Sequence, residues 1–241
     1  MIRDSVGRAL GGTAIGAPLE YLLDALYGVV HPALLRDGAT GQERRMLLPG
    51  DKLVPHPMWE ATRAETVSAA SSDIWPWLVQ MGYGRGGWYA WSPFAGPGSG
   101  RNAQSVDPRF QQLEPGDVLL DGPGCNERLG AWTVRQLDLE RCLVLHSLRD
   151  PFTGWELDID EPGRRFMDCS WAFVLVPGST QTRLLVRTRL TCSPRVASAV
   201  LRLVFAPGDT VMQRTMLRAI RDRVERLSAT VCGGSRPIVT S

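Results

Sequence analysis

The sequence predicts an α+β fold, a curved antiparallel sheet with helices packed on one side. Three observations predict it. Short strand candidates follow one another at turn-bounded intervals between residues 117 and 191. One of them, 183–189, alternates between basic and apolar side chains. The chain then closes on a strongly amphipathic helical stretch. An order of strand, helix, many antiparallel strands and long helix keeps the two kinds of element apart in sequence, as α+β domains do.

Composition bounds the reading further. The chain has 241 residues, enough for one large domain or two small ones. Hydrophobic residues make up 44% and charged residues 22%, so a real core can be buried. Lys and Arg number 27 against 25 Asp and Glu, a net charge of +2. Dedicated nucleic-acid binders carry a clustered basic face and a pI above about 9, so no nucleic-acid partner is expected. Five cysteines, Cys125, Cys142, Cys169, Cys192 and Cys232, form no Cys-x-x-Cys pair and are odd in number. Neither a disulfide framework nor a zinc site is expected, and a reducing, cytoplasmic compartment is the simplest reading. The longest uncharged stretch, 86–100, is 15 residues broken by Gly and Pro. A spanning helix needs about 20 mostly apolar residues, so no transmembrane span is expected.

The elements follow in order. Residues 1–59 read as a helical extension and linker. Val6, Leu10, Leu22, Leu26, Val29 and Val30 recur at roughly helical spacing over 5–35, and Pro18 and Pro32 limit the helices. Glu20 and Asp24 argue against bilayer insertion, leaving packing on the main domain or peripheral contact with a membrane. Residues 38–57 form a connecting segment, broken by Gly38, Gly41, Pro49, Gly50, Pro55 and Pro57. The main domain spans 60–228. Residues 62–69 suit a strand. Ser71, Ser72 and Asp73 offer caps for a helix through Met81, with Pro76 near its first turn, where a missing N–H costs little. The Gly-rich turn 82–87 leads to Trp88-Tyr89-Ala90-Trp91, read as a strand edge.

Strand candidates follow at 117–120, 131–137, 142–147, 168–176 and 183–191. In the last, Arg183, Leu185, Arg187 and Arg189 alternate with Leu184, Val186, Thr188 and Leu190, the signature of a strand with one wet, basic face. Two helices are read at 194–205 and 209–227, separated by Pro207-Gly208-Asp209. Met212, Met216, Ala219, Ile220, Val224 and Leu227 line one face of the second, and Arg214, Arg218, Arg221, Asp222 and Glu225 the other. Residues 229–241 read as a flexible tail.

The run TRAETVSAASSDIWPWLVQMGYGRGGWYAW, residues 62–91, resembles the opening strand, helix and turn of the SRPBCC superfamily, the START-like and polyketide-cyclase-like group with a helix-grip fold. LEPGDVLL at 113–120, WAFVLVP at 171–177, TRLLVRTR at 182–189 and VMQRTMLRAIRDR at 211–223 follow in the order that resemblance requires. Asn102-Ala103 is followed by Gln104 where the similar branch often has Asp. The resemblance implies a sheet of about seven antiparallel strands wrapping the long C-terminal helix, around a deep, mostly apolar cavity. It also implies a bulky hydrophobic ligand, polyketide-, lipid- or terpenoid-like, either bound unchanged or cyclised and dehydrated there as a biosynthetic step. Fold alone does not choose between carrier and enzyme.

The residues supply candidates for both. Such a cavity needs stiff apolar walls and a few fixed polar groups. Trp88, Trp91, Trp171 and Phe173 suit the walls, since aromatic side chains bury large area at low entropic cost. Met212, Met216 and Ile220 face the same space if the helix packs on the sheet. Each of these side chains also reads as plain core. Tyr89 and Arg85 flank the helix-to-strand turn, where Arg85 would meet a ligand carboxylate or clamp neighbouring carbonyls. His146 reads as a general base near neutrality or as a hydrogen-bonded structural histidine. Asp168 reads as a buried acid or a turn residue. The histidines, His31, His56 and His146, are too scattered for a metal motif. No phosphate-binding glycine loop or nucleophile elbow is present, and no cofactor is expected.

Overall fold

The computed structural model describes residues 38–90, 102–160, 163, 165–193 and 195–233, without the side chains of 195–207 and 229–233. The helical extension before residue 38, Trp91 and the tail beyond 233 lie outside the described residues. Six strands form one antiparallel sheet: β1 (Trp59–Val67), β2 (Val118–Leu120), β3 (Ala131–Asp138), β4 (Cys142–Arg149), β5 (Phe166–Pro177) and β6 (Thr182–Ser193). Their order is β1-β6-β5-β4-β3-β2. Strands β2 to β6 run as a meander of sequence neighbours, and β1 closes on β6, pairing Ala61 with Thr188 and Arg63 with Val186. Three helices accompany the sheet: α1 (Gly41–Arg45), α2 (Ser71–Val79) and α3 (Arg195–Gly233). Helix α3 packs mainly on β1 and β6. The protein is therefore α+β with a helix-grip arrangement, with six strands among the described residues against the seven expected.

Two elements differ from the sequence reading. Pro207 and Gly208 do not divide the last helix; one helix of 39 residues runs through them. The missing Pro207 N–H costs one intrahelical bond, which the remaining ladder and the packed face below it outweigh. Trp88 and Ala90 lie outside any strand, because the chain turns back through bridges of Gly82 with Gly87 and of Tyr83 with Leu120. Helix α2 begins where Ser71–Asp73 placed it, but Ala70 occupies the N-cap with no side-chain cap bond.

Alternation along each strand sorts the side chains onto two faces. On the inner face, toward α3, stand Trp59, Ala61 and Val67 of β1, Leu184, Val186 and Leu190 of β6, and Cys169, Trp171 and Phe173 of β5; these pack with Leu143 and Leu145 of β4 and with Ile74, Trp77 and Leu78 of α2 in the main core. Met216, Ile220 and Val224 bring α3 into the same cluster.

The outer face corrects an expectation. The basic side of β6, read as open to water, is covered by a strap, residues 38–57. Arg187 is 3% exposed. It donates to Asp51 Oδ2 at 2.8 Å, to the carbonyls of Met46, Glu43 and Arg44, and to Thr62 Oγ1. Arg189 reaches both Asp51 oxygen types, backbone and carboxylate, and Glu60. Arg183 pairs with Glu43, the residue that also closes the capping box of α1 with Thr40. The strap lies so close at Gly50, where φ is 87°, that a Cβ there would stand 2.7 Å from Val144 Cγ1. Only glycine meets both demands.

One consequence is a pH-dependent strap. The guanidinium of Arg183, ahead of the Thr40 bonds, holds the Glu43 carboxyl at about 2, below its ordinary 4.5. A depressed carboxylate contributes stability that is fully present above the ordinary value and is lost as pH falls through the folded one. Urea midpoints of the wild type and Glu43→Gln should therefore differ at pH 7 and converge between pH 4.5 and 2. A gap that stays constant over that window would remove Glu43 from the account.

Candidate functional site

The inner face carries an aromatic wall at the β3–β5 end, beside the region where α3 packs. Trp171 sits at its centre. Its ring stacks on Trp88 at 5.3 Å and 25°, and tilts against Trp132 at 5.4 Å and Phe173 at 4.9 Å. The neighbouring indoles have partners: Trp88 Nε1 donates to the Asp121 carbonyl at 3.0 Å and Trp132 Nε1 to Asp121 Oδ1 at 3.2 Å. Trp171 does not. Its indole N–H is buried and has no hydrogen-bond partner among the described residues, and the residue is only 4% exposed. Met216 and Ile220 are fully buried in the adjoining core, and Met212 packs against it from a partly exposed position.

Two of the expected ligand contacts are engaged elsewhere. Arg85 donates to three carbonyls, those of Val79, Met81 and Phe110, and its guanidinium lies over the Phe110 ring. It therefore clamps the end of α2 to the 108–110 turn rather than reaching the inner face. Tyr89 is 2% exposed and accepts a 2.6 Å bond from Gln80 Nε2. Burial, ahead of every opposing contact, pushes its phenol up to about 12. Its φ of 55° is unusual for a bulky residue, and Asn102 Oδ1 holds it there by accepting the Tyr89 N–H at 2.9 Å. The Asn102-Ala103 element thus supports the Gly-rich turn without an acidic third residue.

Next to the wall, the seam between sheet and α3 holds a buried polar cluster absent from the sequence reading. Arg63 on β1 is fully buried. It lies 2.8 Å from Asp209 Oδ2, and donates to Gln213 Oε1 at 3.0 Å and Thr210 Oγ1 at 2.8 Å. Gln213 in turn donates to Asp209 Oδ1 and to Thr188 Oγ1. Thr188 is the cross-strand partner of Trp171, so the polar cluster abuts the aromatic wall. Burial raises the Asp209 carboxyl above its ordinary range, and Arg63 draws it back down. The clue lay in the pattern: Arg63 falls on the apolar side of β1, and Asp209 and Gln213 share the face of Met216 and Ile220.

His146 and Asp168 come together, but on the other side of the sheet. His146 Nε2 lies 2.7 Å from Asp168 Oδ1. Both stand on the outer face, His146 in line with Cys142 and Val144, and Asp168 in line with Ser170 and Ala172. The expectation that they share a cavity with Trp171 and Met216 is corrected: their strands turn Leu145 and Cys169 inward and them outward. Beyond the reach of the strap, a half-open cavity of about 340 Å³ lies over His146, bounded by β3, the 127–130 turn and the 154–159 loop. Among the described residues no group of three or more His, Cys, Asp or Glu side chains is placed to hold a metal ion.

No family model matches the chain, and no curated protein matches it. Solved structures align with most of it. A protein from Arthrobacter aurescens is 12% identical over 76% of this chain and 92% of its own, with a TM-score of 0.40. One from Thermobifida fusca is 20% identical over 70% and 94%, with a TM-score of 0.39. A norcoclaurine synthase from Thalictrum, a point mutant in complex with a transition-state analogue, is 15% identical over 70% and 96%, with a TM-score of 0.38. Likenesses at these scores carry no argument about ligand or activity.

Proposed function

We propose that the protein binds a bulky hydrophobic small molecule, polyketide-, lipid- or terpenoid-like, against the aromatic wall of the inner face, with the Trp171 indole N–H donating to an acceptor on it. The observation that carries this reading is the Trp171 N–H, without a partner among the described residues, amid the rings of Trp88, Trp132 and Phe173. A buried donor left without an acceptor costs on the order of 1–3 kcal/mol, which a carbonyl or hydroxyl oxygen on the ligand would recover. The rings supply wide, stiff apolar contact, and the neighbouring Thr188–Gln213 bond supplies a polar margin. His146 and Asp168, the proton-transfer candidates for the alternative cyclase or dehydratase chemistry, stand on the outer face, which favours binding as the reading.

Native mass spectrometry of freshly purified protein tests for a retained ligand. Titration with a naphthalene-sulfonate dye tests the donor. Trp171→Phe keeps a ring in the wall but removes the N–H, so dye affinity should fall about fivefold, the worth of one ordinary hydrogen bond. Unchanged affinity in that variant, with no ligand retained by the wild type, would refute the reading.

A further inference from the structure

The outer-face cavity is separate from the aromatic wall, and its chemistry is of another kind. We propose that it is a second site, at which His146 acts as a general base in the hydrolysis of small polar esters and Asp168 is a positioning residue. The proposal stands independently of ligand binding on the inner face, because the sheet lies between the two.

The geometry begins with the strands. His146 on β4 is the cross-strand partner of Thr133 on β3, and Asp168 lies one diagonal step away on β5. An ionised carboxylate only accepts, so the 2.7 Å contact assigns the ring proton to Nε2 and leaves the lone pair on Nδ1. No hydrogen bond to Nδ1 is formed among the described residues, and the His146 side chain lines the cavity. A histidine with one nitrogen pinned by a carboxylate and the other open to a cleft has the arrangement of a positioned base. At about 340 Å³, with Thr133, Arg128, Arg135 and Glu156 among its walls, the cavity suits a small polar molecule. Neither Arg128 nor Arg135 has an ion-pair partner among the described residues. Their guanidinium groups place positive charge at the cleft for an oxygen that becomes anionic during acyl transfer.

The step balances with water alone. A water oxygen attacks the acyl carbon as its proton passes to His146 Nδ1. The tetrahedral intermediate collapses, the bond from carbon to the leaving oxygen breaks, and the proton on Nδ1 passes to that oxygen. Ester and water become acid and alcohol, and His146 returns to its neutral form. Asp168 holds the ring in the tautomer that makes Nδ1 basic.

The test uses the full chain and p-nitrophenyl acetate, following release of p-nitrophenolate. His146→Ala should lower kcat/KM by about 10²-fold or more, the size of one acid–base contribution. Asp168→Asn should lower kcat while leaving KM unchanged, a split that mere loss of folded protein does not produce. Equal rates in the wild type and His146→Ala would overturn the proposal. Should that variant fail to fold, diethylpyrocarbonate on the wild type decides. Carbethoxylation of His146 in step with loss of hydrolysis supports the site. Modification of the exposed His56 alone, with hydrolysis unaffected, refutes it.

Discussion

Replacing Arg63 with Met is expected to lower the stability of the fold by about 3–5 kcal/mol, the cost of taking one partner from a buried ion pair. The arginine and Asp209 sit together in the seam between β1 and α3 with almost no access to water. Without the guanidinium, the Asp209 carboxylate keeps only its bond from Gln213, while Gln213 and Thr210 each lose a donor. Burial already pushes that carboxyl upward, and the variant removes the pull of Arg63 that opposes it. Urea unfolding at pH 7 reads the loss. Pairing the change with Asp209→Leu should recover most of it, because a buried ion pair is replaced by apolar volume at little cost. A single variant that loses less than about 1 kcal/mol would mean that water reaches the seam.

A loss of similar size, about 3 kcal/mol or more, is expected for Arg187→Ala, which strips Asp51 of its closest charge partner and frees three strap carbonyls. Here the effect has a location. The strap should loosen before the sheet does, so trypsin should cut at the exposed Arg45 and Lys52 sooner in the variant, under conditions where the rest of the chain stays intact. Wild-type cleavage rates at both sites, with an unchanged urea midpoint, would show that Arg187 does not hold the strap.

Much of the sheet was readable because its alternation was. The 183–190 pattern sorted the side chains of β6 onto its two faces, and the spacing of Met212, Met216 and Ile220 assigned the buried side of α3. What failed had physical reasons. Strand β4 is buried on both faces from Cys142 to Leu148, since strap and cavity walls cover one side and the core the other. A strand covered twice shows no period, so nothing in CLVLHSLR says which way His146 points. The same holds for Asp168, whose strand sets Ser170 and Ala172 against Cys169 and Trp171. The Arg face of β6 read as wet because the carboxylates that meet it, Glu43 and Asp51, come from more than 130 residues away in sequence. Local patterns carry no record of such partners. The buried cluster at Arg63 was visible as a charge on an apolar face, but which acid answers it depends on how α3 docks.

The pairing of β1 with β6 also shapes how the chain reaches this structure during synthesis. Strands β2 to β6 can pair one after another as they leave the ribosome, each with its sequence neighbour. The first strand cannot, because its one neighbour among the described residues is the last strand of the sheet. Until β6 has emerged, β1 presents Trp59, Ala61, Val67 and an unanswered Arg63 with no ladder to join. A contact that closes so long a loop is slow to form, and the wait leaves an apolar strand open to other chains. Glu60 on the outer side of β1 guards it in that interval, and it later becomes a partner of Arg189.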